Sequence, residues 1–414
     1  MKQLDCSKSG RRGAAAPLIC LLLIPLLGMA AFAVDIGWIV LAQSDLQNAA
    51  DAAALAGAQQ LIGQEQLNVS TGRYSMSNGY ADYYAPGQSP TNQATILSTA
   101  LAAAKASATK FASYHSAGNV SSLVLSDSDI EFGFTDSTGA YTSAYAGYPN
   151  TVKVVLRLDP QANGSLRLFF GPIFGYKTEN VTASALATIY TGTLNSFNIN
   201  PGSVSGILPM TYDVNEWKTF LQSGTGPDVL DTASSGSTGA PQLKVYSSVN
   251  DAGNFGLLSL DQASDGASSI SGWIDNGVPS TDLQQELNSG LLPLSSHVAT
   301  KWDWKGDTGL RTSDVSALTS HIGDVYMLPL FKPYDPGVPD PTTYTAGDGV
   351  GTNYYYNIVQ FAAVRISYVD SSTVYVQPAA FIDPNAVFSN VTPAAPPTVD
   401  SPLVTTFASP KLTR

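Results

Sequence analysis

The side chains that most often carry catalysis are few in this sequence and far apart. The three histidines are His115, His297 and His321, and the two cysteines are Cys6 and Cys20. A zinc site needs clustered ligands, and a general base needs a partner within hydrogen-bond reach. We interpret His321, close to the end of a predicted helix, as a solvated helix cap. Both cysteines precede residue 21, so the sequence predicts neither disulfides nor thiol chemistry in the rest of the chain.

Short strings that resemble catalytic motifs each lack the residue that would do the chemistry. Gly202–Gly206 has the glycine spacing of a hydrolase nucleophile elbow, but a valine stands where the serine is needed. Gly347–Gly351 lacks the lysine and the hydroxyl residue of a phosphate-binding loop. Asp335, Asp340 and Asp348 share one loop without the spacing of a calcium-binding motif. We therefore predict no catalytic residue, no cofactor, no metal and no small-molecule substrate.

The charge of the chain is unevenly distributed. Its 414 residues carry a formal net charge of −12. The first 12 residues hold four basic residues and one acid, whereas the rest hold 31 acids and 16 bases, a net charge of −15. Nucleic-acid binding needs clustered Lys and Arg side chains, and no such cluster follows residue 12. The composition therefore predicts no nucleic-acid partner.

A long apolar segment follows the basic N-terminus. Residues 14–34 are 21 consecutive uncharged, mostly apolar residues, which is enough to cross a bilayer at about 1.5 Å per residue. Lys8, Arg11 and Arg12 stand just before this segment, and the positive-inside rule then keeps the N-terminus in the cytoplasm. We predict a single-pass protein of the cytoplasmic membrane, with the lipid bilayer as one partner and the bulk of the chain exported.

Two other fates of the N-terminus stay open at this point. Ala31-Phe32-Ala33 has the form of a signal peptidase site, but apolar residues continue as far as Leu41, so we expect the segment to be retained. A prepilin-type leader would be cut after Gly13, but Leu18 stands where pilin-like substrates usually carry a glutamate.

The apolar segment runs into an Ala-rich stretch, and we predict one helix over 14–62. Small residues recur on its surface, with Ala33 and Gly37 spaced four apart inside or near the membrane. Ala50, Ala53 and Gly57 lie on one side further along. Small side chains allow another helix to approach closely, so we predict that these five positions are packing surfaces.

Beyond this helix the pattern predicts an α+β fold. Helical spacing returns over 94–115, and then apolar residues alternate, as at Val152, Val154, Leu156 and Leu158, which is typical of an antiparallel sheet with one buried face. A second, mostly β region follows. The predicted organisation is a cytoplasmic basic tail (1–13), an anchor with the Ala-rich helix (14–62), a helix-plus-antiparallel-sheet unit (63–195), a mostly β unit (196–388) and a Pro-rich disordered tail (389–414).

Three strings in the N-terminal region stand out: Arg11-Arg12-Gly13-Ala14-Ala15-Ala16, Val34-Asp35-Ile36-Gly37, and Leu46-Gln47-Asn48-Ala49-Ala50-Asp51-Ala52-Ala53-Ala54-Leu55-Ala56-Gly57-Ala58. They resemble the first segment of TadE/TadG-like proteins of the Flp, or tight-adherence, pilus-assembly system of bacteria. A weaker similarity to the exported part of TadG-like members continues through Asp129-Ile130-Glu131, Asn150 to Val154, and Leu168-Phe169-Phe170.

This resemblance implies a non-enzymatic envelope component that assembles or anchors a pilus, with other Tad/Flp proteins as partners. Some TadG-like proteins carry a metal site of the form Asp-x-Ser-x-Ser. The nearest string here, Asp231 to Ser235, has Ala233 at a position that needs a hydroxyl. The alternative to pilus assembly is an exported adhesive or carbohydrate-binding protein that shares only the anchor.

Overall fold

The computed structural model describes residues 15–67, 74–143, 145–197, 200–230, 241–247, 255–260, 267–287, 303–307, 309–332, 355–383, 385–398 and 403–413. The predicted basic tail, the loop that carries Asp335, Asp340 and Asp348, and the string Asp231 to Ser235 therefore lie outside the described residues.

The described chain contains seven α-helices, twenty strands and two short 3-10 turns, Asp127–Asp129 and Gly171–Phe174. The helices are α1 Ala15–Ile62, α2 Tyr80–Tyr83, α3 Pro90–Ser113, α4 Val214–Ser223, α5 Ala267–Asn276, α6 Ser280–Leu287 and α7 Thr312–Ser320. The strands are β1 Gln64–Leu67, β2 Tyr74–Ser77, β3 Ile130–Thr135, β4 Tyr141–Ser143, β5 Thr151–Leu158, β6 Leu166–Arg167, β7 Thr178–Glu179, β8 Val181–Phe197, β9 Val204–Ser205, β10 Met210–Asp213, β11 Val229–Leu230, β12 Gln242–Ser247, β13 Phe255–Leu258, β14 Val278–Pro279, β15 Asp303–Asp307, β16 Val325–Phe331, β17 Tyr355–Val369, β18 Thr373–Pro378, β19 Ala386–Pro393 and β20 Phe407–Thr413. The predicted α+β class is confirmed.

Helix α1 has 48 residues, which corresponds to a length of about 72 Å. It contains Pro25, which a membrane helix tolerates when neighbouring groups satisfy the freed carbonyl. Large apolar side chains are exposed along its first part, whereas small ones from Ala42 onward are buried. The helix ends at Ile62, where the Tyr148 hydroxyl donates a 2.8 Å hydrogen bond to the Leu61 carbonyl. The carbonyl groups in the last turn of a helix have no hydrogen-bond donor within the helix, and Tyr148 supplies one for Leu61.

A six-stranded sheet forms around β8 and β5. Its order is β19-β8-β5-β3-β4, and β20 also pairs with β8. In β5 the side chains of Val152, Val154, Leu156 and Leu158 are buried, whereas Lys153 is half-buried between them. The predicted alternation of this strand is therefore confirmed.

The predicted disorder of the 389–414 tail is wrong for the residues that form strands. β19 pairs antiparallel with the far part of β8, and β20 pairs with its middle. Prolines do not prevent this pairing, because Pro393 is the last residue of β19 and Pro410 lies within a bulge between Ala408 and Lys411. Proline is tolerated at strand ends, on edge strands and at bulges, where no ladder amide is required.

The larger sheet has eight strands in the order β11-β12-β18-β17-β15-β13-β10-β16. Strand β16 pairs in parallel with β10 and antiparallel with β17, so the sheet curls back on itself. All seven residues of β16 are buried. Helix α5 and strand β15 in this region had not been predicted from the sequence.

The chain divides into two compact units. One consists of Met1–Ala53, Thr109–Ile130 and Val154–Ala185, and the other of Ala54–Ala108, Glu131–Lys153 and Leu186–Arg414. Both units are made of separate stretches of chain, whereas the sequence suggested successive domains. The domain boundaries derived from the sequence stay predictions.

Candidate functional site

The residues predicted to set the topology, Lys8, Arg11 and Arg12, lie outside the described residues. Ala33 and Gly37 are exposed on α1. A Cβ atom added to Gly37 would have no other atom within 4 Å, so this small-residue face is open in the isolated chain.

The small residues further along α1 are in a different environment. Ala50 and Ala53 are completely buried. Gly57 faces α3, because a Cβ atom on this glycine would lie 3.3 Å from the Ala104 carbonyl oxygen and 3.5 Å from the Ala108 Cβ. Ala104 and Ala108 are themselves fully buried. The two helices therefore approach through small side chains and backbone.

His321 is not a solvated cap, which corrects the interpretation made from the sequence. Its side chain is only 3% exposed, with Nδ1 2.7 Å from an Asp324 oxygen and Nε2 3.2 Å from an Asp275 oxygen. Both ring nitrogens are therefore engaged by carboxylates. The interpretation failed because the His321 side chain turns inward to Asp324 and to Asp275 of α5, although Thr319 and Ser320 beside it are exposed.

The candidate residues that the structure describes form no metal centre. His115 is half-buried just after α3, and His297 lies outside the described residues. Within the described parts of the chain, no group of three or more His, Cys, Asp or Glu side chains could hold a metal ion.

A hairpin that the sequence did not single out is attached to α1 by Asp35. Strands β6 and β7 pair, and the loop between them contains the 3-10 turn Gly171–Phe174. Asp35 is 6% exposed. Its Oδ1 accepts a hydrogen bond of 2.8 Å from the backbone N–H of Phe169, and its two oxygens accept bonds of 3.2 and 3.1 Å from that of Phe170. A carboxylate is a strong acceptor for such free amides.

Three more polar contacts continue along the same helix. Trp38 Nε1 donates to the Arg167 carbonyl at 3.1 Å, and its ring lies 5.4 Å from that of Phe169. Gln43 and Gln47 donate to the carbonyls of Thr182 and Ser184 at 2.9 and 3.0 Å. We call Asp35, Trp38, Gln43 and Gln47 the polar stripe.

The spacing of the stripe explains the contact with β8. Four residues along a helix rise about 6 Å, and two residues along a strand rise about 6.6 Å. Gln43 and Gln47 therefore meet carbonyls of Thr182 and Ser184, which point to the same side of the strand. This register fixes the hairpin and the start of β8 against α1.

The loop of the hairpin presents large apolar side chains to the outside. We call Phe169, Phe170, Ile173, Phe174 and Tyr176 the apolar tip. Ile173 is 76% exposed and Tyr176 is 72% exposed. Between the tip and α1 is a groove of about 590 Å³, lined mainly by apolar residues that include Met29, Phe32 and Phe174.

Two family models match the chain. A Flp pilus-assembly TadE/G-like model matches residues 13–60, and a Tad-like Flp pilus-assembly model matches residues 87–187. Over these two segments the chain is similar to Tad-like Flp pilus-assembly proteins. The resemblance seen in the sequence is therefore confirmed. No curated protein and no solved structure matches the chain.

The Tad-like matches include the attachment between helix and hairpin. The first match contains the whole polar stripe, and the second contains α3, β3 to β7 and the apolar tip. The eight-stranded sheet follows both matches. Asp35 could have been noticed in the sequence as the first acid after 21 uncharged residues, but nothing there indicates its partners more than 130 residues later.

Proposed function

We propose that this Tad-like protein is a membrane-anchored, non-enzymatic component of Flp pilus assembly or anchoring. Its N-terminus lies in the cytoplasm, α1 crosses the cytoplasmic membrane once, and the bulk of the chain is exported. Its partners are the lipid bilayer and other Tad/Flp pilus-assembly proteins. The observation that carries the proposal is that the TadE/G-like match at residues 13–60 coincides with an apolar helix whose first part is uncovered.

The exposure of α1 supports the anchor. Leu21, Ile24 and Met29 are 70%, 74% and 73% exposed. Apolar surface in water costs about 25 cal/mol per Å², whereas lipid tails are as apolar as these side chains. The most apolar part of Leu21–Ile62 is almost entirely uncovered by the rest of the chain. A buried core helix would be covered by the rest of the protein, so this pattern favours a span.

The non-enzymatic role is supported by how the polar groups are used. Of the two histidines that the structure describes, His321 is the more enclosed, and both of its ring nitrogens are held by carboxylates. Asn150 is fully buried and donates to the carbonyls of Thr135 and Ala394, at 2.8 Å each. These groups join segments that are distant in sequence, which is a structural use of polar side chains.

The test is deletion of the gene in the bacterium that encodes it, followed by electron microscopy of surface pili. We expect loss of Flp pili and their return with the full chain. A second complementing chain replaces residues 15–34 with a cleavable signal peptide, so that the exported part is released from the membrane while Asp35 and Trp38, which bind the hairpin, are kept. We expect this chain to be exported and to fail to restore pili. Normal pili in the deletion strain, together with lost binding to glycan-coated surfaces, would contradict the assembly role and favour an adhesive one.

A further inference from the structure

We propose that the apolar tip inserts into the exported-side leaflet of the bilayer that α1 crosses. The hairpin is then a second membrane contact, which fixes the angle and rotation of the exported part on the membrane surface. This inference rests on the proposed membrane anchor.

The depth of the tip follows from Asp35. Residues 15–34 of α1, which precede this carboxylate and carry no charge, span about 30 Å as a helix, which matches the roughly 30 Å thickness of the hydrocarbon core. Asp35 therefore lies at the exported-side boundary of that core. The backbone N–H groups of Phe169 and Phe170 are hydrogen-bonded to this carboxylate, so the tip lies at the same level.

The composition of the hairpin matches a membrane interface. Residues 168–176 carry no charge, and the exposed Arg167 and Lys177 flank them on either side. No acid occurs between Asp159 and Glu179, although the chain after residue 12 carries a net charge of −15. Aromatic rings at the boundary and basic residues beside anionic headgroups are typical of membrane anchors.

Most backbone N–H groups of the hairpin loop are hydrogen-bonded within the protein, which favours their placement in an apolar medium. Backbone in lipid must have its polar groups satisfied within the protein. Pro172 has no N–H, and six other residues of the loop donate to protein oxygens. These donors are Leu168, Phe169, Phe170, Ile173, Gly175 and Tyr176.

The groove of about 590 Å³ behind the tip also favours contact with lipid. One wall is formed by Met29, Phe32 and Ile36 of α1, and the other by Leu168 and Phe174. The α1 wall belongs to the proposed span or lies next to it, so lipid tails are already in contact with it. An acyl chain can therefore enter the groove from the surrounding bilayer without a separate binding event.

The test places spin labels on the purified full-length chain in vesicles of phosphatidylethanolamine and phosphatidylglycerol, with no other protein present. Cys6→Ala and Cys20→Ala remove the native thiols, and a single label is attached at Ile173→Cys. Oxygen reaches labels in hydrocarbon, whereas a nickel chelate reaches labels in water. Met29→Cys reports on the anchor, and Val124→Cys is a matched control because it is 64% exposed and lies outside the tip.

We expect the label at residue 173 to show a shift toward oxygen accessibility, as at residue 29, while the label at 124 stays accessible to nickel. Nickel access at 173 with oxygen access at 29 would overturn the inference and leave the anchor intact. Nickel access at both positions would overturn the anchor, and the inference with it. Exposure of residue 173 to nickel in vesicles, with protection in whole-cell membranes, would assign the tip to a protein partner instead.

Discussion

Gly57 of α1 lies so close to Ala104 of α3 that a Cβ atom on the glycine would be 3.3 Å from the Ala104 carbonyl oxygen. The same Cβ would be 3.3 Å from a methyl group of Val152 in β5. One position in the Ala-rich helix thus faces both another helix and the sheet. Its neighbours limit what can replace it.

Substitution of Gly57 by leucine should destabilise the protein. The added atoms would have to displace the α3 backbone or β5, and overpacking typically costs about 1–3 kcal/mol. Gly57→Ala is the control, because the gain of about 1 kcal/mol in helix propensity offsets the close contact of a single methyl group. Thermal unfolding in detergent should show a lower midpoint for leucine and a nearly unchanged one for alanine. An unchanged midpoint for leucine would mean that α1 and α3 separate easily.

Ala53→Arg should place a charge in a fully buried position. The cost should be several kcal/mol, of the order seen when a buried ion pair loses one partner. Residue 53 lies 18 positions past Asp35, so membrane insertion should be normal. Ala52→Arg is the matched control, because Ala52 is partly exposed on the same helix. Alkaline extraction checks insertion, and limited proteolysis checks stability. Equal protease resistance of the two variants would contradict the packing role.

Asp35→Ala should loosen the hairpin. The carboxylate accepts from the amides of Phe169 and Phe170, and hydrogen bonds to a charged group contribute about 1.5–3 kcal/mol. Exchange of these two amides with deuterium should accelerate roughly 10- to 100-fold. Asp35→Asn keeps one acceptor oxygen and should give a smaller effect. Similar rates in the alanine variant and the unsubstituted protein would show that the loop is held by its other contacts.

The apolar segment should stay on the mature protein. Apolar residues continue after Ala33 as far as Leu41 within one unbroken helix, and Asp35 and Trp38 are bonded to the hairpin. Intact-mass analysis of the protein extracted from membranes should show a chain that retains residues 15–34. A mature N-terminus at Val34 would contradict both the anchor and the depth assigned to Asp35.

The spacing of apolar residues along the sequence was enough to predict those elements in which it matches the buried face. The alternation in β5 specifies a strand with one buried face, and the Ala-rich run of α1 specifies a helix that packs closely. The tail could not be predicted in this way, because β19 and β20 gain their stability from β8, roughly 200 residues earlier. The prolines of the tail suggested disorder because the sequence alone does not show that β8 is its pairing partner.

The hairpin and the environment of His321 were missed for a related reason. Asp35 acquires its role from two backbone amides, and backbone amides have no sequence signal. His321 is enclosed by Asp275 of α5, and that helix was not predicted. Features set by distant partners need the fold, whereas features set by neighbouring residues do not.

The stability of the protein should also depend on pH through the carboxyl group of Asp383. This side chain is 5% exposed, and burial raises its pKa, although hydrogen bonds with Asn385, Ser205 and Gly206 act in the opposite direction. The unfolded pKa is about 3.9. Between that value and the higher folded pKa, the native state binds more protons than the unfolded state, so the contribution of this group to stability falls as pH rises.

Asp383→Asn removes the titration while it keeps the shape of the side chain and an acceptor for the Asn385 amide. The difference in unfolding free energy between variant and unsubstituted protein should therefore shift in favour of the variant as pH rises from about 4, and level off above the folded pKa. The change should be about 1.4 kcal/mol for each pH unit that separates the two pKa values.

Asp136→Asn is the comparison, because hydrogen bonds from Thr138 and Ala140 lower the pKa of that exposed group. The pH dependence of its contribution to stability should have the opposite sign. Chemical unfolding in detergent at several pH values from about 2.5 to 7 measures both, because the dependence for Asp136 falls mostly below the unfolded pKa of about 3.9. A constant difference for Asp383→Asn across this range would show that the carboxyl group titrates alike in the folded and unfolded chains.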